Sequence, residues 1–432
     1  MNDFTTQPMR RTTTVLSRLA LPLVLTSLLI SCSDNQATSV WDPDLQPSSA
    51  PPVISTISPE GGYLAGVDAI TITGSGFSTI ASENKVYFSN AEEFGVAGLV
   101  LSSTATELHV RPPKITGDVT LKAYREGAEN FSNELTYSLA SPLLDAYDSF
   151  NPNADNPISL GLDNDGNLFV ALTSGGNARG IIKVDTEGAV SDYVLANNRF
   201  RFDAIDFTPD NRLYICVGIR AVFQGTEGAR EGAHFIMPAP FTFMNFDMDE
   251  NGYMWLVGDN THIVRHVPQE TRVNITNINS LPDNTKIYPL EANLTGVFYN
   301  NSALYLLGSD DAGWKVWKAD LDGNSDVTGA SVFADLNEKL GDVTPAHRFT
   351  DIVMAADGMV YVSTNRAEGI LEIAADGSSV KPLYEGVLYP VVTSMDWGDG
   401  VYLYISTTAT SDPLSQSSVV LVNMQKEGAP DY

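Results

Sequence analysis

The sequence predicts an all-β protein, a small β-sandwich followed by a six-bladed β-propeller. Three observations carry this. Residues 53–139 break into short runs that alternate apolar and polar residues between Gly and Pro turns. Residues 141–432 repeat one strand-turn-strand pattern six times. Each of those copies carries an aromatic residue at the same register, namely Phe169, Tyr214, Trp255, Tyr305, Tyr361 and Tyr404, spaced by 45, 41, 50, 56 and 43 residues. A period of 40–50 residues built of strands is the signature of modules that cannot bury their own faces and stack on one another.

The sandwich begins with "PPVISTISPEGGYLAGVDAITITGSGF". Here Ile70 and Ile72 alternate with Thr71 and Thr73 before the glycines at 74 and 76. Period-two alternation closed by Gly is a half-buried strand entering a tight turn. The runs "NKVYFSN", "TELHVRPP", "GDVTLKAYREG" and "ELTYSL" repeat the pattern, and so many short strands in under 90 residues make a sandwich. The order I-S-P-x-G-G, I-T-I-T-G-S-G-F, N-x-V-Y-F, T-E-L-x-V-x-P-P, L-T-Y resembles the IPT/TIG immunoglobulin-like domain. In that resemblance Pro59, Gly61, Gly62, Gly74, Gly76 and Phe77 are turn and core positions without chemistry. The stretch "AEEFGVAGLVL" departs from the compact form and is expected to alter a surface loop.

In the second domain each copy opens with a strand ("SLGLD", "AIDFT", "MNFDM", "TGVFY", "DIVMA", "TSMDW"), followed by the aromatic strand. A third comes next ("GIIKVDTEG", "HFIMP", "HIVRHV", "KVWKADLDG", "GILEIAADG", "SVVLVNM"), and in most copies a weaker fourth. Four-stranded antiparallel sheets repeated radially close into a propeller and leave no long edges. The repeats "DNDGNLFVA" and "AADGMVYVS" resemble NHL-type blades. The sixth copy runs out of chain, so residues 142–149 are expected to supply its outer strand.

The N-terminus sets the address. Arg10, Arg11 and Arg18 precede an apolar run, Leu19 to Ile30, of 12 residues. That is too short for a span, which needs roughly 20, and it reads as an export signal. Leu29-Ile30-Ser31-Cys32 resembles the lipobox of bacterial lipoproteins, which implies that Cys32 is lipidated and becomes the first mature residue. The expected organisation is therefore a signal peptide at 1–31, a tether rich in Ser, Pro, Asp, Asn and Gln at 32–52, the sandwich at 53–139 and the propeller at 141–432. The implied location is the bacterial cell envelope, lipid-anchored at the outer membrane. Cys216, in the apolar run "RLYICVG", reads as a buried thiol.

The chain carries a net charge of −28, and removing residues 1–31, which hold three Arg and one Asp, leaves −30. Such a surface repels phosphate backbones and anionic lipid, which excludes nucleic acid as a partner. Three acidic turns, "DNDGN" (163–167), "DMDENG" (247–252) and "DLDGNSD" (320–326), look like calcium loops. The second alone has EF-hand spacing, and its twelfth position is Gly258 where a bidentate Glu is needed. All three sit at hairpin turns that want Asp, Asn and Gly for backbone reasons, so no cofactor is assigned and calcium is the one ion considered. His262 and His266 share a strand face but lack the Glu of a zinc protease motif, and no metal site is assigned to them.

Function falls by topology on the face where second-to-third-strand loops and inter-blade loops emerge. These bring Arg199, Arg201, Asp259, Asn260, His262, Asp310, Trp314, His347, Arg348, Asn365, Arg366, Glu368 and Tyr389 to one side. Aromatic rings with Asn, Asp and Arg suit a glycan or a protein partner. The leading expectation is a non-catalytic binding protein of the envelope. The alternatives are a metal-dependent hydrolase or lyase of the lactonase type, for which no residue set can be matched, and a pure protein-protein scaffold.

Overall fold

The computed structural model describes residues 48–145, 155–174, 177–195, 201–217, 221–229, 234–238, 242–258, 261–268, 281–409 and 417–430. The chain divides into a unit Met1–Ser48 and a compact unit Ser49–Tyr432, and only the latter is described here beyond Ser48.

The sandwich is a folded sheet of eight strands wrapped round one core. In spatial order they are Val53–Ser58, Ile70–Ser75, Glu107–Arg111, Val96–Ser103, Asn84–Ser89, Gly117–Arg125, Leu135–Ala140 and the short Tyr63–Leu64. Ile70, Ile72, Val86, Phe88, Leu108, Val110 and Leu121 fill the core from alternate positions, which is why a period-two pattern was enough to find them. Gly74 is required by proximity, since a Cβ there would lie 2.0 Å from the Val53 carbonyl oxygen, and Gly76 by its φ of 78°. The stretch expected as a loop change is half a loop. Residues 90–95 form the turn, while Val96–Ser103 is a strand that pairs with Asn84–Ser89 on one side and Glu107–Arg111 on the other.

Six four-stranded sheets follow. Blade 1 runs Asn156–Leu162, Leu168–Ser174, Asn177–Val184, Val190–Leu195, and blade 2 runs Phe202–Phe207, Leu213–Val217, Ala221–Gln224, His234–Pro238. Blade 3 comprises Asn245–Met248, Met254–Val257, His262–His266, Thr285–Pro289, and blade 4 Asn293–Asn300, Ala303–Asp310, Gly313–Leu321, Val327–Asp335. Blade 5 comprises Phe349–Met354, Val360–Thr364, Ile370–Ile373, Val380–Pro382. Blade 6 is Val392–Trp397, Tyr402–Thr407 and Ser418–Asn423, completed by Leu143–Asp145 from before blade 1. Leu143, Leu144 and Asp145 pair with Val422, Leu421 and Val420, so the ring is closed by the strand that the sequence places there. One assignment is corrected. "HFIMP" is the fourth strand of blade 2, because the four-residue strand Ala221–Gln224 pairs directly with Leu213–Val217.

The aromatic register packs between blades: Phe169 lies 4.7 Å from Phe207 of blade 2, and Tyr361 lies 5.7 Å from Trp397 of blade 6. Burying a large side chain of this kind contributes about 1.5–3 kcal/mol each, which couples blades whose sheets are otherwise joined by few backbone bonds, such as Leu195 N to Ala229 O (2.9 Å). Only Ser141 and Pro142 separate sandwich from propeller. The junction is held: Asn423 N donates to Pro142 O (2.9 Å), and Gln425 Nε2 donates to Asp68 Oδ2 (2.7 Å).

Candidate functional site

The first strands of the blades surround a central cavity of about 160 Å³. Along those strands side chains alternate, and the channel-facing ones do two different jobs.

Deeper in the channel they tie neighbouring blades together. Asp396 accepts from Trp397 N (2.8 Å) in its own strand and from Leu162 N (2.6 Å) in blade 1. Asp247 likewise accepts from Met248 N (2.7 Å) and from Tyr299 N of blade 4. Ser159 accepts from Ile205 N of blade 2 (3.0 Å). Asp351 accepts from Ile352 N (3.0 Å), from Met395 N of blade 6 (2.7 Å), and from Asn245 Nδ2 of blade 3 (3.0 Å) across the channel. Burial pushes the Asp351 carboxyl up to about 6 against these donors. The carboxylates of this channel thus spend their oxygens on backbone N–H groups that would otherwise be unpaired.

At the mouth the collar consists of Ile158, Asp203, Met244, Thr295, Thr350 and Thr393. Arg201 Nε meets Asp203 Oδ1 at 2.7 Å, and the arginine side chain is 61% exposed at the rim. Thr350 and Thr393 hydroxyls each lie 2.8 Å from a serine of the second strand, Ser363 and Ser406, while Thr295 donates to Phe349 O (2.8 Å). Each collar residue stands eleven positions before its blade's aromatic residue, or ten in blade 4, whose turn is one residue shorter. That fixed offset was the signal in the sequence that would have found them.

Of the residues expected on this face, Arg199, Asp259 and Asn260 lie outside the described residues, as does Cys32. Among the described ones, Arg201 alone lines the cavity. Five others come together as a network of the molecule's own. Arg366, with only 8% of its side chain exposed, grips Asp342 with two bonds of 2.9 Å and Glu368 with bonds of 3.1 and 3.2 Å. Its guanidinium is held charged chiefly by Asp342. His347 Nδ1 accepts from Thr344 N (3.1 Å), and Asn365 accepts from Arg348 N (2.8 Å) while donating to Ala346 O (3.1 Å). Arg348 itself caps Pro345 O and His347 O and stays exposed. Asp310 is paired with Lys315 (2.6 Å), and Trp314 packs 5.1 Å from Phe349 of blade 5. Tyr389 is half-buried against the core of blades 5 and 6, and His262 is half-buried near Thr261.

The acidic turns are built as turns. Asp163 accepts from Asp165 N and Asn167 N (3.1 and 2.8 Å), Asp249 from Asn251 N and Tyr253 N (3.0 and 2.9 Å), and Asp322 from Asn324 N and Asp326 N (2.8 and 2.9 Å). His266 is buried with Nδ1 2.9 Å from Thr285 Oγ1, and burial pushes it down to about 4. Cys216 is a buried free cysteine whose thiol burial pushes well up. Among the described residues no three His, Cys, Asp or Glu side chains are grouped as a metal ion requires.

The fold therefore defines a protein in which a sandwich leads directly into a six-bladed propeller with a polar channel mouth. Residues 52–138 match the IPT/TIG domain. No curated protein matches the chain in sequence. Among solved structures the chain is similar to a protein of unknown function from Bacteroides thetaiotaomicron, at 14% identity and a TM-score of 0.44, with 88% of this chain and 99% of that one covered. It is similar also to an auxiliary nutrient binding protein from the same organism, at 12% identity and a TM-score of 0.45 with the same coverage. A third is a calcium-binding protein, regucalcin, from Agrobacterium tumefaciens, at 13% identity and a TM-score of 0.45, covering 63% of this chain and 93% of that one.

Proposed function

We propose that this is a lipid-anchored, non-catalytic binding protein of the bacterial envelope whose propeller takes a glycan at the channel mouth. The observation that carries this reading is the collar. Threonine hydroxyls at 295, 350 and 393, with Asp203 and Arg201 beside the apolar Met244 and Ile158, offer both donors and acceptors round a concave opening. A few placed polar groups among apolar ones is how a concave site orients a small neutral ligand. The strongly negative chain favours an uncharged one. The channel carboxylates support binding over turnover, because their oxygens already accept backbone protons and hold blades together.

Two measurements test this. Titration calorimetry of glycans selected on an array is expected to lose about 30-fold in affinity with Arg201→Ala, the scale of a well-seated anchor. Affinity unchanged by Arg201→Ala and Asp203→Asn, or turnover of a lactone or ester that needs a divalent ion, refutes the reading. For the anchor, Cys32→Ala is expected to move the protein from the membrane to the soluble fraction, and continued sedimentation with membranes refutes lipidation.

A further inference from the structure

The sandwich carries a second surface of a different kind. On its outer sheet Tyr87 of strand Asn84–Ser89 sits directly opposite Lys122 of strand Gly117–Arg125. Two phenyl rings from separate loops close on that pair. Phe131 lies 5.8 Å from Tyr87 and 5.5 Å from Tyr124, and its ring centre is 4.8 Å from Lys122 Nζ. Phe94 reaches the same ammonium at 5.5 Å. The cation is thus framed by two rings, with Glu134 at 3.6 Å.

Both rings are held out by built loops. Asn90 Oδ1 accepts from Glu92 N (3.0 Å) and Glu93 N (2.8 Å), and Gly95, at φ 67°, donates to Ser89 Oγ (2.9 Å), which fixes the turn that presents Phe94. Ser132 N donates to Ala123 O (2.8 Å), and Asn133 brackets the Ile54 backbone at 2.9 and 3.0 Å, which fixes Phe131. Yet Phe94 is 84% exposed and Phe131 47%. Two exposed rings carried by ordered loops beside a charged rim mark a binding surface.

The charge decides the occupant. A lipid chain or an apolar protein face closing over this patch would strip water from the Lys122 ammonium, leaving it Glu134 and the two rings but no hydroxyl to replace the lost water. A second copy of a chain carrying −28 is repelled. A pyranose offers C–H groups to the electron-rich ring faces and hydroxyls to the ammonium and carboxylate together. We propose that this face of the sandwich binds a neutral polysaccharide, with sugar rings against Phe94 and Phe131 and hydroxyls read by Lys122 and Glu134. The proposal rests on these residues alone and not on the reading of the propeller.

Electrophoresis of the full chain in native gels containing amylopectin, xyloglucan, galactomannan or laminarin tests it. At least one polysaccharide is expected to retard the protein. Phe94→Ala should weaken that binding about 30-fold, without changing the melting temperature because the ring is exposed. Phe131→Leu, which keeps apolar packing on Tyr87 and Tyr124 but removes the ring, should weaken it as well. The proposal is overturned if no polysaccharide retards the chain, if Phe94→Ala and Phe131→Leu migrate like the wild type, or if only Arg201→Ala abolishes retardation. It is overturned equally if Phe94→Ala instead abolishes binding to phosphatidylcholine vesicles.

Discussion

Asp351 and His266 are both buried in the propeller, and their titrations pull stability in opposite directions over the same pH range. Burial raises Asp351 from an ordinary 3.8 to about 6, so between those values the native state holds a proton that the unfolded chain releases. Its contribution is complete below about pH 3.8 and is lost as pH rises through 6. Burial lowers His266 from 6.5 to about 4, so the native state refuses a proton that the unfolded chain takes up. Its contribution is complete above about pH 6.5 and is lost as pH falls through 4. At about 1.4 kcal/mol per unit, each amounts to about 3 kcal/mol, and in the wild type the two largely cancel. Asp326 and Asp342, held low by Lys286 and Arg366, titrate below this window, and Asp249, raised by burial, is common to every variant. Relative to the wild type, Asp351→Asn is therefore expected to make stability rise by about 3 kcal/mol from pH 4 to 6.5, and His266→Asn to make it fall across the same range. Urea unfolding followed by far-UV circular dichroism at four pH values reads the slopes. An Asp351→Asn protein whose slope matches the wild type refutes the assignment of the falling limb to this carboxyl.

Two further outcomes follow from the ring. Asp396→Ala strips the acceptor from Leu162 N and Trp397 N, leaving two N–H groups unpaired at the junction of last and first blades. At about 1–3 kcal/mol each this should lower the melting temperature by about 5 °C or more, and calorimetry showing less than a degree of change refutes the clamp. Replacing Leu143–Asp145 with Pro-Gly-Pro removes the outer strand of blade 6 and exposes the edge of Ser418–Asn423. Aggregation on light scattering is expected, and a monomer of unchanged melting temperature refutes closure by this strand.

The fold was legible because strands announce themselves locally. Ile70 and Ile72 in the sandwich, and the aromatics from Phe169 to Tyr404, sit where a period of two and a period near 45 put them, and core burial needs no partner to be named. The strand Ala221–Gln224 escaped because its first three residues are all buried and show no alternation, and "HFIMP" took its place in the count. Closure was expected from residues 142–149 because the sixth copy lacked a fourth strand, and Leu143–Asp145 supply it, residues 146–149 lying outside the described residues.

The site was legible only as a face. Topology says which loops share an end of the propeller, but not whether a side chain that arrives there is free. Arg366, His347 and Asn365 were singled out as residues suited to a ligand, and each is engaged by its own surroundings, because a loop this long needs internal bonds to hold its shape. The same competition runs the other way in the channel. Asp247 was read within an acidic turn, whereas its two oxygens join blades 3 and 4. Carboxylates of identical composition are thus divided by depth: those within the channel accept inter-strand N–H groups, those at the turns accept the N–H groups of their own loop, and Asp203 at the mouth meets the exposed Arg201 in an ion pair. That ion pair joins two side chains where the proposed ligand would enter, and a bond of this kind can be exchanged for hydroxyls at little cost. A bond to backbone cannot be exchanged without parting two blades, which is why the proposed binding is placed at the mouth and not in the deeper acidic channel.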